Sequence, residues 1–284
     1  IYFTSSKYCE LTRSLQCFYT NHSNLTKFSV FSMQTIAVTF VRHGESEWNK
    51  LNLFCGWEDV NLSDRGKDAS EVSSAPLIKD NVVFDVVFTS ALKRSQRTAN
   101  IILNSLDCPN VPVISSWRLN ERHYGALTGF NKRQMADIYG EEQVQVWRRS
   151  FDIPPAPITP LNPYYESIRS NPIFKEIPDD EFPDAESLAT TMDRVIPFWE
   201  STIVPEIRKG RRILIVAHGT SLRGIIKHIE GLTKEEIVKL NLPNSIPFVY
   251  DFDVKTARPT TRIKFMADEK TVAEAVAKVA SIGK

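Results

Sequence analysis

Thr39-Phe40-Val41-Arg42-His43-Gly44-Glu45-Ser46-Glu47-Trp48-Asn49 decides how this chain is read, because an apolar run stops on a cation, an imidazole and a glycine. The ending recurs far downstream, where Arg211-Arg212-Ile213-Leu214-Ile215-Val216-Ala217-His218-Gly219-Thr220 again sets His-Gly at the close of an apolar run. Short, continuous apolar runs of this kind read as strands buried on both faces, as in a parallel sheet. Ligands of open α/β sheets gather beyond the carboxyl ends of such strands, so the two histidines are expected to face one crevice. Arg42 adds a permanently charged donor fork suited to phosphate oxygens, and His43 can be a neutral nucleophile near pH 7. The combination points to phosphoryl transfer through an imidazole, with His218 donating to the oxygens of the transferring group.

Around these strands the signals alternate. Thr35 to Val41 reads as a strand, Ser63 as a cap for a helix over Asp64 to Ile78, Phe84 to Phe88 as a strand, Ala91 to Leu106 as a helix, and Val111 to Ile114 as a short strand. A helix follows over Gln134 to Trp147, interrupted near Gly140. Asp184 to Arg208 reads as another helix, Ile213 to Ala217 as a strand, the segment from Ser221 as a helix and Phe248 to Phe252 as a last strand. This order predicts an α/β fold of three layers, a mostly parallel sheet with helices on both faces. Eight of the sixteen prolines lie in residues 152–183, which predicts a long irregular loop, functional or a lid. The Ala- and Lys-rich tail, residues 266–284, could form a helix over the site mouth or fray.

With 284 residues and 42% hydrophobic content, one large domain over residues 33–284 is expected. Thirty-five Lys and Arg against thirty-four Asp and Glu leave a formal net charge of +1, so nothing global favours nucleic acid or a membrane, and any anion site must be local. Cys9, Cys17, Cys55 and Cys108 show no metal-ligand spacing and read as free thiols of a reducing compartment, giving expectations of no metal and a cytoplasmic location. Residues 1–32 are rich in Ser, Thr, Asn and aromatics and hold a single acid, Glu10. They read as a disordered or non-native leader, upstream translated sequence or an expression remnant, or else as an organelle transit peptide.

Arg42-His43-Gly44-Glu45-Ser46-Glu47-Trp48-Asn49, Gly56-Trp57, Trp117-Arg118-Leu119-Asn120-Glu121-Arg122-His123-Tyr124-Gly125 and His218-Gly219-Thr220-Ser221-Leu222-Arg223-Gly224 resemble the cofactor-dependent phosphoglycerate mutases of the histidine phosphatase superfamily. The resemblance runs from about Met33 to the C-terminus, and the Trp117–Gly125 segment is more specific than the Arg-His-Gly triplet. It implies a 2,3-bisphosphoglycerate-primed interconversion of 3- and 2-phosphoglycerate, with His43 as phosphohistidine, and a homodimer or homotetramer acting on small phosphoglycerates without nucleic acid or membrane. The alternative it carries is a bisphosphoglycerate mutase, a synthase and phosphatase on the same site.

Glu121 is the candidate proton donor and acceptor. Developing phosphate charge nearby is expected to raise its pKa and suit it to acid work near neutrality, and the resemblance gives the glutamate of this segment that role. Arg94, at the start of a helix after the second strand, combines guanidinium and helix N-terminus as an anion site. Lys132, Arg148 and Arg149 add cations; by resemblance the arginine pair holds the substrate's second anionic end, and Arg94, Tyr124 and Lys132 make contacts of their own. Ser46, Asn49, Cys55, Gly56, Arg122, His123 and the backbone at Gly219 and Thr220 complete the expected binding shell. Two departures from the mutase pattern, Thr220 for Asn and Cys55 for Thr, keep a small group and predict tuning. Residues 125–129, 143–147 and 163–165 resemble the bisphosphoglycerate mutase subgroup. Gly56 follows the glycolytic mutases, where the synthase type usually carries serine.

Overall fold

The computed structural model describes residues 34–281, so the expectation for residues 1–32 lies outside the described residues. Six strands, β1 (Thr35–Arg42), β2 (Val86–Ser90), β3 (Val113–Ser116), β4 (Ile213–Ala217), β5 (Phe248–Asp253) and β6 (Lys264–Phe265), form one sheet in the order β3-β2-β4-β1-β5-β6. Strands β3, β2, β4 and β1 run parallel, while β5 pairs antiparallel with both β1 and β6. Around the sheet lie α1 (Glu47–Lys50), α2 (Asp64–Val72), α3 (Ala75–Lys79), α4 (Lys93–Ser105), α5 (Lys132–Tyr139), α6 (Glu141–Arg149), α7 (Tyr165–Arg169), α8 (Leu188–Phe198), α9 (Val204–Arg208), α10 (Gly219–Glu230), α11 (Lys234–Lys239) and α12 (Glu269–Ser281).

Alternation along the strands sorts the core into two layers. Val38 and Phe40 of β1 with Ile213, Ile215 and Ala217 of β4 pack against Val195, Leu222 and Ile225 of α8 and α10. Val41, Leu214 and Val216 face the other way, onto Leu77 of α3 and Ala99, Ile102 and Leu103 of α4. The fold is therefore the expected three-layer α/β arrangement. Every residue of β2 and β4 is buried, which is why those strands read as continuous apolar runs. In β5 burial alternates, as befits an antiparallel strand near the sheet edge.

Several expectations are revised. The single helix over 64–78 is two, because Pro76, without an N–H, begins a new first turn where none is needed; Ser63 does cap α2, accepting from Gly66 N at 3.1 Å. The helix expected from Asp184 starts at Leu188, where Ser187 caps it in a reciprocal box with Thr190. It then passes through a π turn at Trp199–Ile203, between Pro197 and Pro205.

The largest revision concerns residues 152–183. They hold α7 and a 3₁₀ turn at Pro172–Phe174, and Ile158, Ile168, Phe174 and Ile177 form a buried cluster with Trp57 and Leu92. Asn162 pins the segment by donating to the carbonyls of Ala126 (3.2 Å) and Thr128 (3.1 Å). A packed wall is the result, with its prolines spacing the apolar anchors, and no open lid. The tail forms a helix, α12, which brings Val279 to the cleft described next.

Candidate active site

Register places the two histidines together. Arg42 and Ala217 are paired Cα partners at the ends of β1 and β4, so His43 and His218 leave adjacent parallel strands at the same level, and their ring centroids are 4.7 Å apart. His43 N continues the ladder by donating to the Ala217 carbonyl at 3.0 Å. Gly44 is required next: a Cβ there would stand 2.4 Å from the Gly66 carbonyl oxygen, where α2 closes on the loop.

His43 Nδ1 lies 2.6 Å from the Gly44 carbonyl oxygen. A carbonyl accepts only, so Nδ1 carries the proton and Nε2 the lone pair. Burial, reinforced by Arg94 and Arg42, holds the His43 pKa well below its usual value, so the imidazole is neutral and nucleophilic at pH 7. His218 is complementary. Its Nε2 is 2.7 Å from Ser90 Oγ, which already accepts from Leu92 N at 3.1 Å. With the serine proton turned to Nε2, His218 keeps its own proton on Nδ1, a fully buried atom with no acceptor among the described residues. Burial and Arg94 keep this ring neutral too.

The cleft at these strand ends has a volume of about 100 Å³ and is lined by seven Arg or Lys side chains and one carboxylate. That imbalance in a chain of net charge +1 makes a local anion site. Arg42 Nη1 donates to the Leu242 carbonyl at 2.7 Å, and its buried Nε has no acceptor among the described residues. Arg94 reaches from the first turn of α4 to the carbonyls of Glu58 (2.9 Å) and Gly56 (2.6 Å). Lys132 donates to the Leu53 carbonyl; burial, then Arg148, pushes its pKa down to about 7. Arg148 and Arg149 arrive from the last turn of α6, and Arg149 Nη2 is 3.4 Å from the Val279 carbonyl of α12.

Among the described residues, Glu121 is the lone carboxylate in the lining. Oε1 accepts from Arg122 N at 2.8 Å and Oε2 from Thr220 N, in the first turn of α10, at 3.4 Å. Burial raises its pKa, but the Thr220 hydrogen bond, Arg122 and Arg42 outweigh it and leave the pKa below the usual value. The protein's own groups thus set Glu121 as an ionised base; the expected increase requires the charge of a phosphoryl group brought beside it. Its backbone is clamped, the carbonyl accepting from Trp57 Nε1 at 2.8 Å and Arg194 Nη2 at 3.0 Å.

Of the residues named from the sequence, Arg42, His43, Asn49, Cys55, Gly56, Arg94, Glu121, Arg122, Tyr124, Lys132, Arg148, Arg149, Gly219 and Thr220 line the cleft, and His218 sits beside His43. Two do not line it. Ser46 is fully buried as the N-cap of α1, its Oγ accepting from Asn49 N at 3.1 Å while Asn49 Oδ1 accepts from Ser46 N at 3.1 Å. His123 is fully buried away from the cleft, its Nδ1 accepting from Gly125 N and its backbone N–H donating to Glu186; it shapes the turn after Glu121. Arg122 lines the cleft yet spends Nε on Thr220 Oγ1 and its two Nη atoms on the carbonyls of Trp147 and Arg148, so it positions α6. Burial raises the Cys55 thiol pKa, keeping it protonated at neutral pH.

The sequence reading missed Leu53, Arg223, Asn241, Leu242 and Val279. Arg223 alone carried a usable signal: on a helix beginning at Gly219, positions 219, 220 and 223 share one face. Leu242 and Val279 reach the cleft through tertiary packing.

A neutral nucleophile, a neutral imidazole donor, an ionised carboxylate and a cationic lining are the parts of metal-free phosphoryl transfer. A family model described as histidine phosphatase superfamily (branch 1) matches residues 38–171 and 164–258. Similar solved structures include an alpha-ribazole phosphatase from Shigella flexneri, 22% identical over 80% of this chain and 95% of that one, with a TM-score of 0.58. A mycobacterial glucosyl-3-phosphoglycerate phosphatase is 17% identical over 82% and 98%, TM-score 0.60. A phosphoglycerate mutase from Bacillus anthracis is 18% identical over 86% and 97%, TM-score 0.60. The likeness to these structures is one of fold. The family match takes in both strand-end histidines and Glu121, and the chain belongs to the histidine phosphatase superfamily, branch 1.

Proposed function

We propose that the protein is a phosphoglycerate mutase primed by 2,3-bisphosphoglycerate, interconverting 3- and 2-phosphoglycerate through phospho-His43. The observation that carries this reading is that the cleft holds a further arginine pair beyond the cations beside His43. Arg42 and Arg94 bear on His43, and Arg148 and Arg149 come from the last turn of α6 to line the same cleft. A phosphatase needs the first group; a mutase must also hold a second anion while phosphoryl is exchanged. The buried, unpaired Arg42 Nε and His218 Nδ1 fit a highly charged phosphate ligand.

When bound, 2,3-bisphosphoglycerate supplies the phosphoryl group that first loads His43. Ionised Glu121 then takes the proton of the acceptor hydroxyl as that hydroxyl attacks phosphorus and the bond to His43 Nε2 breaks. After reorientation, His43 Nε2 attacks the other phosphoryl, and Glu121 returns its proton to the departing oxygen. Arg42 and His218 hold the equatorial oxygens in both directions, where charge accumulates in the transition state.

The bisphosphoglycerate mutase reading is favoured less at Gly56. Its φ of +54° suits glycine, and an added Cβ would meet Tyr124 N at 3.0 Å and the Arg122 carbonyl oxygen at 3.3 Å, so serine here would press on the segment that carries Glu121. Incubating the protein with 3-phosphoglycerate, with and without a trace of 2,3-bisphosphoglycerate, tests the proposal: bisphosphate-dependent formation of 2-phosphoglycerate is expected, and release of inorganic phosphate with no isomerisation would overturn it.

A further inference from the structure

Arg223 stands on α10, 4% exposed, and lines the cleft. Its Nη2 donates to the Ile237 carbonyl at 2.6 Å, while its buried Nε has no acceptor among the described residues. Arg42 has the same design, one Nη on the Leu242 carbonyl and an unpaired Nε. Neighbouring cations differ: Arg122 has all three guanidinium nitrogens on protein acceptors, and both Nη atoms of Arg94 are held by carbonyls. A buried, charged N–H left without an acceptor is costly, so in a cleft it marks where a ligand brings one.

The two arginines enter the cleft from different elements, Arg42 from the end of β1 and Arg223 from α10. Arg42 adjoins His43 in the chain. Arg223 lies among Arg122, Arg149, Glu121 and Tyr124; burial first, then Arg122 and Arg149, bring its pKa down to about 9, with Glu121 and Tyr124 opposing the shift. The cations bearing on His43 are Arg94 and Arg42. A guanidinium braced on one side and free at Nε is set to accept a fixed anion without further ordering of its side chain.

We propose that Arg223 binds the carboxylate of the ligand, the anionic group that is not transferred, and so makes the cleft specific for phosphate monoesters of small hydroxy acids. The choice of carboxylate rests on the phosphoglycerate reading, and the test separates the two. Calorimetric titration with 3-phosphoglycerate and with glycerol 3-phosphate, which lacks the carboxylate, gives a ratio of dissociation constants for the parent, Arg223→Gln and Arg223→Lys. A charge-assisted contact predicts that Arg223→Gln weakens 3-phosphoglycerate by about tenfold or more while glycerol 3-phosphate changes by less than about threefold, with Arg223→Lys between. Equal weakening of both ligands, or a parent that binds the two alike, would overturn the proposal. Should Arg223→Gln not fold, Arg223→Lys carries the same comparison, and a ratio equal to the parent's overturns it. Loss of isomerase turnover in the parent would sink the mutase reading while leaving this ratio measurable.

Discussion

His43 and His218 face each other at a ring-centroid distance of 4.7 Å with planes inclined by 57°, each the first residue beyond a register pair, Arg42 and Ala217, of two adjacent parallel strands. The sheet therefore fixes the two imidazoles relative to one another through the backbone register of β1 and β4. Gly44 O holds the His43 proton on Nδ1 and leaves a lone pair on Nε2, while His218 meets Ser90 Oγ at Nε2 and keeps a buried Nδ1 without a partner among the described residues. A phosphorus atom between them meets complementary groups that need no reorganisation.

His43→Ala should abolish activity and the acid-labile phosphoenzyme together. His218 is not expected to substitute, because its Nε2 is engaged by Ser90 Oγ at 2.7 Å. Labelling with a phosphoryl donor followed by acid quench checks this, and a labelled phosphoenzyme in the variant would refute the role of His43.

Glu121→Gln removes the proposed base while keeping the shape and an acceptor for the Arg122 and Thr220 amides. The chemical step should slow by about 10²- to 10⁴-fold, the usual range for a lost general acid or base, with ligand affinity largely retained. Single-turnover kinetics on the phosphorylated enzyme would show it; a rate within a few-fold of the parent means another group moves the proton.

How far the sequence could be read follows from what each residue answers to. His43 and His218 were legible because a strand buried on both faces leaves an uninterrupted apolar run, and whatever ends that run stands at the sheet's carboxyl edge. Ser46 and His123 looked alike as site residues, since a helix cap and a buried turn histidine use the same polar side chains as a ligand contact. Only the closed hydrogen bonds of Ser46 with Asn49, and of His123 with Gly125, separate them. The prolines of 152–183 signalled irregular backbone but not its anchoring, which depends on Ile158, Ile168 and Phe174 meeting Trp57 about a hundred positions away. The antiparallel sense of β5 was equally hidden, because one strand's pattern does not give its direction.

Gly56→Ser should test the balance of activities. A left-handed φ costs a side-chain-bearing residue roughly 1–2 kcal/mol, and the contacts at Tyr124 and Arg122 add strain. A lower thermal midpoint is expected, together with a larger share of synthase and phosphatase turnover relative to isomerisation. Parallel assays of the activities decide; an unchanged ratio would detach Gly56 from selectivity.

Stability should fall in acid. His123 is buried and its pKa is lowered to about 3, by burial first and then by Arg194 and Arg169; His43 and His218 are shifted the same way. A depressed folded pKa means that the unfolded chain binds the extra proton, so the stability is complete above the unfolded value near 6.5 and is lost as pH falls below it. His123 alone should cost about 2 kcal/mol by pH 5. Urea midpoints at pH 7.5 and 5 check this, with His123→Asn expected to flatten the slope; the same slope in the variant would be against it.

Arg148 and Arg149 occupy the last turn of α6, where the carbonyls of Trp147 and Arg148 are held by Arg122. Burial lowers the pKa of both side chains, that of Arg148 to about 10, yet each remains charged at neutral pH. If they hold the anionic end remote from His43, replacing both by glutamine weakens ground state and transition state alike, which raises KM more than it lowers kcat. Each charge-assisted contact is worth about 1.5–3 kcal/mol, so the double variant should lose at least about tenfold in kcat/KM. A pair acting only to close the helix end would lower stability instead, and a thermal midpoint measured alongside separates the two effects. Steady-state kinetics of Arg148→Gln/Arg149→Gln on 3-phosphoglycerate settle the matter: an unchanged kcat/KM would take both arginines out of the substrate's path and leave the second anionic end to Arg223 alone.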